Sequence, residues 1–353
     1  MAATVAVIGG AGSRAVEVAL RACAVAGVTA TSLGEAAQLA RLWRSATAVL
    51  IAASAQHWAP ALPRRASVAV LDDSAAGELD AWRFAVQVGA ETVFAPEQDP
   101  RRLVDWLALA AEPAGPRAAV VGVFGACGGA GASTLAAAMA LRAGSAARVT
   151  LVDADPGGGG IDVLLGIETE PGARWPDLCG SRGVVAADVL AEALPRAGGV
   201  AVLSWRPGPA PEMAVDAMDA VLSAAIRGSD RVVVDLPRSP DDAAVAAARH
   251  CDHLLLVAPA SVRAVAAAAA AVARWTTASA EVGLAVRHPG PADLTPSAVA
   301  DALDLPLLGV VPTDPRLANL GDRGRFVRAL GRSPVGGAAA TITSALERLR
   351  AVV

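Results

Sequence analysis

A glycine-rich segment, GACGGAGAST at residues 125 to 134, carries the clearest chemical signal in the chain. It follows a β-branched run and precedes an alanine-rich stretch, so the sequence predicts a strand, a loop and a helix in that order. Glycines let backbone N–H groups surround a phosphate, the helix N-terminus adds its positive dipole, and a hydroxyl reaches Mg²⁺. Ser133 and Thr134 supply that hydroxyl. The segment therefore favours a phosphate-binding loop over an ordinary tight turn.

The loop lacks the lysine that such loops place after their last glycine, because Ala132 stands there. All 30 basic residues of the chain are arginine, and lysine is absent. Losing one charge-assisted contact costs about 1.5–3 kcal/mol, or roughly ten- to a hundredfold in affinity. The backbone amides, the helix dipole and Mg²⁺ remain, so we expect weak nucleotide binding.

Two further apolar segments end in aspartates. LVDAD ends in Asp153 and Asp155, and RVVVD ends in Asp235. Parallel strands place their carboxyl ends at one sheet edge, and Mg²⁺ prefers oxygen ligands. We therefore predict that Ser133, Asp155 and Asp235 hold Mg²⁺, with a simple strand-capping role as the alternative for the first pair. Arg238 follows the last of these strands and is either a bidentate phosphate contact or a surface arginine.

The whole chain alternates β-branched runs with alanine-rich stretches, which predicts an α/β fold with mostly parallel sheets and helices on both faces. A proline- and glycine-rich linker at 113–117 divides a βα domain at 1–112 from a P-loop domain at 118–353. In the first domain we predict strands at 4–9, 27–31, 48–53, 67–72 and 92–96 and helices at 14–26, 34–44, 77–89 and 99–111.

The five-strand βα order of the first domain resembles a response-regulator receiver domain. A working receiver has acids after its first strand, a phosphate-accepting aspartate after its third and a lysine after its fifth. The corresponding positions here are Gly9 and Gly10, then Ala52, Ala53 and Ser54, then Ala95. The resemblance therefore implies a degenerate receiver-like interaction domain that takes no phosphoryl group.

Two short patterns could indicate other ligands. GAGSRA at residues 10–15 fits a dinucleotide-binding fingerprint, but Thr31 and Ser32 stand where an acidic ribose partner is expected. His250 and His253 have a spacing that metal sites use, yet we expect one to end a helix and the other to begin a strand. We therefore interpret the first pattern as a tight turn and expect no metal at the second.

Composition limits the class of protein. No apolar stretch approaches the roughly 20 residues of a membrane span, and the net charge of −4 without a basic block gives no general attraction to nucleic acid. Four scattered cysteines indicate neither disulfides nor zinc, so we expect a cytoplasmic protein. The C-terminal segment 340–353 has one apolar helical face, which we expect to pack on the sheet; peripheral membrane contact is the less favoured alternative.

Residues 117 to 353 resemble the MinD/ParA family of deviant Walker A ATPases. The family pattern K-G-G-x-G-K-[ST]-T lies on residues 127 to 134, with Cys127 and Ala132 at its two lysine positions. LVDADPGGGGIDVLLGIE is similar to the family's second motif, VVVDLP aligns with its Walker B strand, and residues 307 to 325 align with its nucleotide-base loop. Arg287 stands where the family carries a base-reading asparagine.

The resemblance implies a homodimer that binds ATP or ADP with Mg²⁺. It implies a catalytic role for Asp155, and hydrolysis that is slow or absent because both lysines are missing. It also implies nucleotide contacts at Gly128, Gly129, Ala130, Gly131, Ala132, Ser133, Thr134, Pro312 and Asp314.

A receiver-like domain followed by GGAGAST is similar to the CpaE/TadZ branch of this family and, within it, to the actinobacterial septum site-determining proteins. This likeness implies a regulator of septum placement that contacts cell-division proteins and is recruited to the septum or pole. Positioning of a pilus or secretion machine is one alternative. A structural scaffold without nucleotide is another.

Overall fold

The chain folds into two compact units, Met1–Gly115 and Pro116–Val353. The computed structural model describes residues 4–10, 12–33, 42–43, 45–58, 67–73, 78–111, 118–181, 185–275, 281–288, 294–321 and 323–350. Each unit has a central, mostly parallel sheet with helices between its strands, which confirms the predicted α/β class.

The first unit has a five-stranded parallel sheet with the strand order β2-β1-β3-β4-β5. Its strands are β1 (Thr4–Ile8), β2 (Thr29–Leu33), β3 (Ala48–Ala52), β4 (Val68–Leu71) and β5 (Thr92–Phe94), and its helices are α1 (Arg14–Val25), α2 (Glu78–Val88) and α3 (Pro100–Ala111), with a 3₁₀ turn at Ala53–Trp58. Every residue of β3 and β4 is buried, as expected for strands covered on both faces.

One predicted element of this unit differs from the structure, and another lies mostly outside the described residues. The strand predicted at 27–31 begins at Thr29, because Gly27 adopts a left-handed φ of 70° and closes the turn after α1. Most of the helix predicted at 34–44 lies outside the described residues. Within that range only residues 42 and 43 are described, and both are helical.

The carboxyl edge of the first sheet is organised around Asp73, which follows β4. Its carboxylate accepts hydrogen bonds from the backbone N–H of Ser54 at 2.9 Å and from the hydroxyl groups of Ser54 at 2.5 Å and Ser13 at 3.1 Å. Ser13 also caps the N-terminus of α1, and Gly12 before it has a left-handed φ of 89°. Gly12 and Ser13 therefore lead into a capped helix, and Asp73 connects Ser13 to Ser54.

The second unit has an eight-stranded sheet with the order β13-β12-β11-β6-β10-β7-β9-β8, antiparallel only between β8 and β9. The strands are β6 (Ala119–Gly125), β7 (Val149–Asp153), β8 (Arg196–Ala197), β9 (Val200–Leu203), β10 (Arg231–Asp235), β11 (His253–Pro259), β12 (Glu281–His288) and β13 (Leu307–Pro312). Because neighbouring strands are parallel, the loops after β6, β7, β10, β12 and β13 all leave from one edge.

Helices cover both faces of this sheet. They are α4 (Ala132–Ala143), α5 (Ile161–Leu165), α6 (Trp175–Leu178), α7 (Ala187–Ala193), α8 (Val215–Gly228), α9 (Asp242–Arg249), α10 (Val262–Trp275), α11 (Pro296–Leu303), α12 (Pro315–Gly321), α13 (Phe326–Leu330) and α14 (Pro334–Arg350). Helix α14 packs on β13 and α4 and buries Ile342 and Leu346, which confirms that the C-terminal apolar face packs on the sheet. Within the described residues, no helix is long and apolar enough to cross a membrane.

Candidate functional site

The glycine-rich segment forms a tight loop between β6 and α4. Gly129 and Gly131 have left-handed φ values of 71° and 97°, which other residues adopt only with strain, so the glycine pattern is a backbone requirement. Gly131 precedes α4, and its carbonyl accepts the N–H of Leu135 at 2.9 Å, the first hydrogen bond of the helix. The predicted order of strand, loop and helix is confirmed.

A cavity of about 540 Å³ lies against this loop. Residues that the sequence placed in one site line it together: Gly128, Gly129, Ala130, Gly131, Ala132, Ser133, Thr134, Asp155, Asp235 and Arg238. Pro312 and Asp314, predicted for the same ligand, line a second cavity next to it. The sheet therefore collects the predicted residues at one edge, in two adjoining pockets.

Arg238 brings a guanidinium to the loop that lacks both lysines. Its Nη1 lies 3.9 Å from where a Cβ atom on Gly128 would stand, and the residue lines the loop cavity. A guanidinium offers up to five N–H donors and stays charged at any physiological pH. A cation is thus available beside the loop. It comes from the segment after β10, whereas the lysine of a phosphate-binding loop comes from the loop itself.

Two buried carboxyl groups stand side by side at the ends of β7 and β10. Asp153 and Asp235 are register partners, with 2% and 3% of their surface exposed. Burial raises the pKa of Asp153 to about 7, although hydrogen bonds from the N–H groups of Ile161 and Asp155 and from the Ser204 hydroxyl oppose the rise. Burial, followed by the charge of Asp153, raises the pKa of Asp235 well above its usual value, and the nearby Ser133 side chain opposes the rise.

Such a pair can bind a divalent cation, because the cation would compensate the charge that burial disfavours. No three His, Cys, Asp or Glu side chains form a ready metal cage anywhere in the described ranges. Mg²⁺ usually takes one or two protein carboxylates and completes its shell with phosphate oxygens and water. The hydroxyl of Ser133 with the carboxylates of Asp235 and Asp155 is an all-oxygen set that fits Mg²⁺ when a phosphate is also present.

A buried polar network behind Asp153 was not predicted from the sequence. The Ser204 hydroxyl lies 3.0 Å from Oδ2 of Asp153 and 3.3 Å from Oδ1 of Asp162. Asp162 in turn accepts a 2.9 Å hydrogen bond from Nε of Arg174. Asp162 lies within the LVDADPGGGGIDVLLGIE segment, but no local pattern indicates Ser204 or Arg174, which the fold brings in from elsewhere. Through Ser204, this network holds the carboxylate of Asp153 in place.

The second cavity measures about 250 Å³. Its lining includes Ala130, Gly131, Thr134, Leu135, Leu164, Arg287, Val311, Pro312, Asp314, Leu317, Phe326 and Val335, so it shares three loop residues with the first cavity. The carboxylate of Asp314 accepts hydrogen bonds from two N–H groups at the start of α12 and from the Ser333 hydroxyl at 2.7 Å, which lowers the pKa of Asp314. Asp314 is thus a helix cap.

The two histidines of the RHCDH segment do not converge on one site. His250 caps the C-terminus of α9 and its Nε2 pairs with Asp219 at 2.9 Å, whereas His253 begins β11 and is buried. The two residues therefore belong to different elements, as expected from the predicted helix end and strand start.

The chain is similar in fold to several solved ATPase structures. A ParA family ATPase from Chlorobium tepidum gives a TM-score of 0.54 at 18% identity, covering 65% of this chain and 98% of that chain. MinD in the MinC:MinD cell division protein complex of Aquifex aeolicus gives 0.56 at 20%, covering 65% and 96%. The septum site-determining protein MinD of Pyrococcus horikoshii, complexed with Mg-ADP, gives 0.52 at 18%, covering 67% and 98%. These likenesses establish the MinD/ParA-like fold.

A family model matches the first part of the chain, and a sequence relative matches almost all of it. A family model described as Rv3660c-like, CheY-like N-terminal domain matches residues 12–119, which confirms the receiver-like fold of the first unit. The protein Rv3660c of Mycobacterium tuberculosis is 41% identical over 335 residues, covering 93% of this chain and 94% of that protein. With that identity over nearly the full length of both proteins, the chain belongs to the Rv3660c-like family.

Proposed function

We propose that this protein is a MinD/ParA-like positioning factor that binds ATP or ADP weakly with Mg²⁺ and hydrolyses ATP slowly or not at all. One observation carries the proposal: Ser133 and the buried Asp235 line the same cavity as the glycine loop. This arrangement supports a backbone cradle for phosphate with a metal-binding edge beside it. Hydrolysis is expected to suffer most, because Cys127 and Ala132 occupy the positions of two charge-stabilising lysines.

Each part of the site has a proposed role. The N–H groups of Gly128 to Thr134 hold the phosphates, and Ser133, Asp155 and Asp235 hold Mg²⁺, which would neutralise phosphate charge when bound. Asp155 is the proposed catalytic residue because it lines the same cavity and is only half-buried, unlike Asp153 and Asp235. ADP complexed with Mg²⁺ in the Pyrococcus horikoshii neighbour supports this choice of ligand.

Septum placement is the cellular role that we propose for this site. The solved neighbours include MinD proteins described as cell division or septum site-determining proteins, and one is in complex with MinC. A second copy of the chain and proteins of the division machinery are the proposed partners. Positioning of pilus or secretion proteins would use the same site with a different partner.

Replacing Asp235 with asparagine should abolish the dependence of nucleotide binding on Mg²⁺. The amide keeps the shape of the side chain but removes the charge that would hold the cation beside Ser133. Calorimetric titration of ATP and ADP, with Mg²⁺ and with chelator, measures the dependence in the full-length protein. Asp216→Asn, which changes an exposed acid in the first turn of α8, is the matched control.

An Asp235→Asn protein whose binding still responds fully to Mg²⁺ would exclude Asp235 from the site. If the unsubstituted protein binds no nucleotide at any concentration tested, the positioning-ATPase proposal fails. The structural scaffold without ligand then becomes the better interpretation.

Replacing Arg238 with alanine should weaken ATP binding about tenfold while leaving adenosine binding nearly unchanged. The guanidinium beside Gly128 is the proposed phosphate contact, and charge-assisted hydrogen bonds of this kind are worth about 1.5–3 kcal/mol. The measurement is a paired titration of ATP and adenosine. Arg249→Ala, an exposed arginine at the end of α9, controls for the change in net charge. Equal losses for ATP and adenosine would refute the phosphate contact.

A further inference from the structure

Four arginine residues line one cavity of about 340 Å³ at α12 and α13, which we name the arginine cavity. The arginines are Arg316, Arg325, Arg328 and Arg332, and the rest of the lining consists of Asp314, Leu317, Leu320, Ala329 and Ser333. All four arginine side chains are exposed, so a ligand can reach them. One acid and four permanent cations therefore line this cavity, although acids outnumber basic residues in the chain by 34 to 30.

The local sequence gathers three of these arginines on one side of a short helix. Arg325 precedes α13, Arg328 lies within it and Arg332 follows it, at spacings of three and four residues that place side chains on one helical face. The helix is anchored through its other side, because Phe326 and Leu330 are only 1% and 3% exposed.

A tight turn brings α12 and its arginine to the same cavity. Gly324 has a left-handed φ of 63°, which lets the chain reverse between the two helices. The N–H of Arg325 then donates to the carbonyl oxygen of Leu320, at the end of α12, at 2.8 Å. Arg316, in the first turn of α12, thus lines the cavity together with the arginines of α13.

The positive charge of this cavity is largely uncompensated within the protein. None of the four guanidinium groups makes an ion pair or a hydrogen bond with any residue in the described ranges. The carboxylate of Asp314 already accepts from the Ser333 hydroxyl and from two backbone N–H groups, and its charge offsets at most one of the four cations. Like charges three and four residues apart destabilise a helix, so the stability of α13 does not explain the arrangement. An anion from outside the chain would.

Phosphate is the anion that suits this lining best. A guanidinium stays charged at any physiological pH and donates two parallel hydrogen bonds to a phosphate group. Because the cavity has four such groups, a ligand with several phosphates would engage more of them than a single phosphate. We propose that the arginine cavity binds a small soluble molecule that carries at least two phosphate groups.

Shape and charge favour a small molecule over a phosphate polymer or a membrane. The volume of about 340 Å³ falls within the range of small-molecule sites, which is about 300–1,000 Å³. Leu317, Leu320 and Ala329 give the cavity an apolar wall that suits the organic part of such a ligand. The net charge of −4 gives the chain no general attraction to nucleic acid or to an anionic surface.

This site is separate from the proposed nucleotide site. No residue of the arginine cavity lines the cavity at the glycine loop, and the arginine cavity shares only Asp314 and Leu317 with the second cavity. The inference therefore does not rest on the proposed function, and it can hold in a protein that binds no nucleotide.

Calorimetric titration of the full-length protein with inorganic tripolyphosphate in the presence of a chelator tests the inference. We expect one saturable site, and inorganic phosphate should bind at least about tenfold more weakly because it engages fewer arginines. The chelator keeps Mg²⁺ from neutralising the probe and removes the cation that the proposed nucleotide site uses.

Replacing Arg325 and Arg328 together with glutamine should weaken tripolyphosphate binding about a hundredfold, because two charge-assisted contacts are lost. Both side chains are exposed, and the Arg325 side chain makes no capping hydrogen bond to α13, so the helix keeps its packing. Circular dichroism checks the fold. If this protein does not fold, the pair Arg316→Gln and Arg332→Gln removes two charges from the same cavity and should have the same effect.

A matched double variant controls for the change in net charge. Arg249→Gln with Arg263→Gln removes two exposed arginines from α9 and α10, outside the arginine cavity. It should leave the affinity for tripolyphosphate nearly unchanged. An equal loss of affinity in the two double variants would overturn the site, because the effect would then come from net charge alone.

Three other results would also overturn the proposal. The first is the absence of saturable tripolyphosphate binding. The second is a loss in Arg238→Ala that the Arg325 and Arg328 double variant does not share, since the probe would then lie on the glycine loop. The third is tighter binding, through the same arginines, of duplex DNA or of vesicles that contain anionic phospholipid, which would assign the cavity to a nucleic acid or a membrane surface.

Discussion

Replacing Ala132 with lysine should tighten ATP binding by about tenfold or more. Ala132 is the first residue of α4, is only half-buried, and lines the cavity at the glycine loop, so a longer side chain has room to extend there. The new ammonium group would lie beside the β- and γ-phosphates held by the loop. A regained charge-assisted contact is worth about 1.5–3 kcal/mol, which gives the expected factor.

Hydrolysis should rise much less than affinity in this variant. The resemblance to the deviant Walker A ATPases implies that a second lysine, at the position of Cys127, also stabilises charge on the transferring phosphoryl group. The pair Cys127→Lys and Ala132→Lys should therefore raise turnover by more than the two single changes combined, as expected for groups that act together. Calorimetry and phosphate release, measured on both single variants and the double variant, give the two quantities.

Ala146→Lys adds the same charge to an exposed position just beyond the C-terminal end of α4 and serves as the control. It should leave ATP affinity unchanged, because it lies at the opposite end of the helix from the glycine loop. A folded Ala132→Lys protein with no gain in affinity would mean that the loop no longer has the geometry of a phosphate cradle. The scaffold interpretation would then be preferred.

The strands and the glycine loop could be predicted because local sequence determines them. A strand buried on both faces reads as a continuous apolar run, and β3 and β4 are such runs in the sequence and in the structure. The loop is equally local, since Gly129 and Gly131 adopt backbone angles that favour glycine. The parallel arrangement then follows from alternation of strands with helices.

Contacts between distant segments could not be predicted, because a local pattern does not determine which strands become neighbours. Asp153 was noted only as one of two strand-end acids; its pairing with Asp235 depends on β10 lying between β6 and β7. Arg287 meets Gly129 across 158 positions of sequence. This contact therefore becomes visible only once the sheet order is known.

Replacing Arg174 with methionine should destabilise the protein by about 3–5 kcal/mol. Its side chain is 3% exposed and that of its partner, Asp162, is 1% exposed. Besides the 2.9 Å bond to Asp162, the guanidinium donates to the carbonyl oxygens of Gly172, Ile167 and Glu170. Removing it leaves a buried carboxylate and several carbonyl groups without their donors, which is the costly way to break a buried ion pair.

The exposed pair of Arg206 and Asp177 provides the matched control. It has the same residue types and two hydrogen bonds, at 3.1 and 2.8 Å, but its side chains are 53% and 41% exposed. Water solvates both groups when the pair is broken, so Arg206→Met should cost at most about 1 kcal/mol. Urea unfolding followed by tryptophan fluorescence measures both variants. Trp175 lies next to Arg174 and donates to the carbonyl of Asp153, so it reports on this region.

A second substitution separates the cost of the unpaired charge from the cost of the lost hydrogen bonds. In the Arg174→Met background, Asp162→Asn removes the stranded charge while its amide oxygen can still accept from the Val163 N–H. The double variant should therefore be more stable than Arg174→Met alone, although Asp162→Asn by itself should destabilise the unsubstituted protein. If Arg174→Met costs no more than Arg206→Met, Asp162 is not held as a buried carboxylate. The network behind Asp153 would then contribute packing rather than charge.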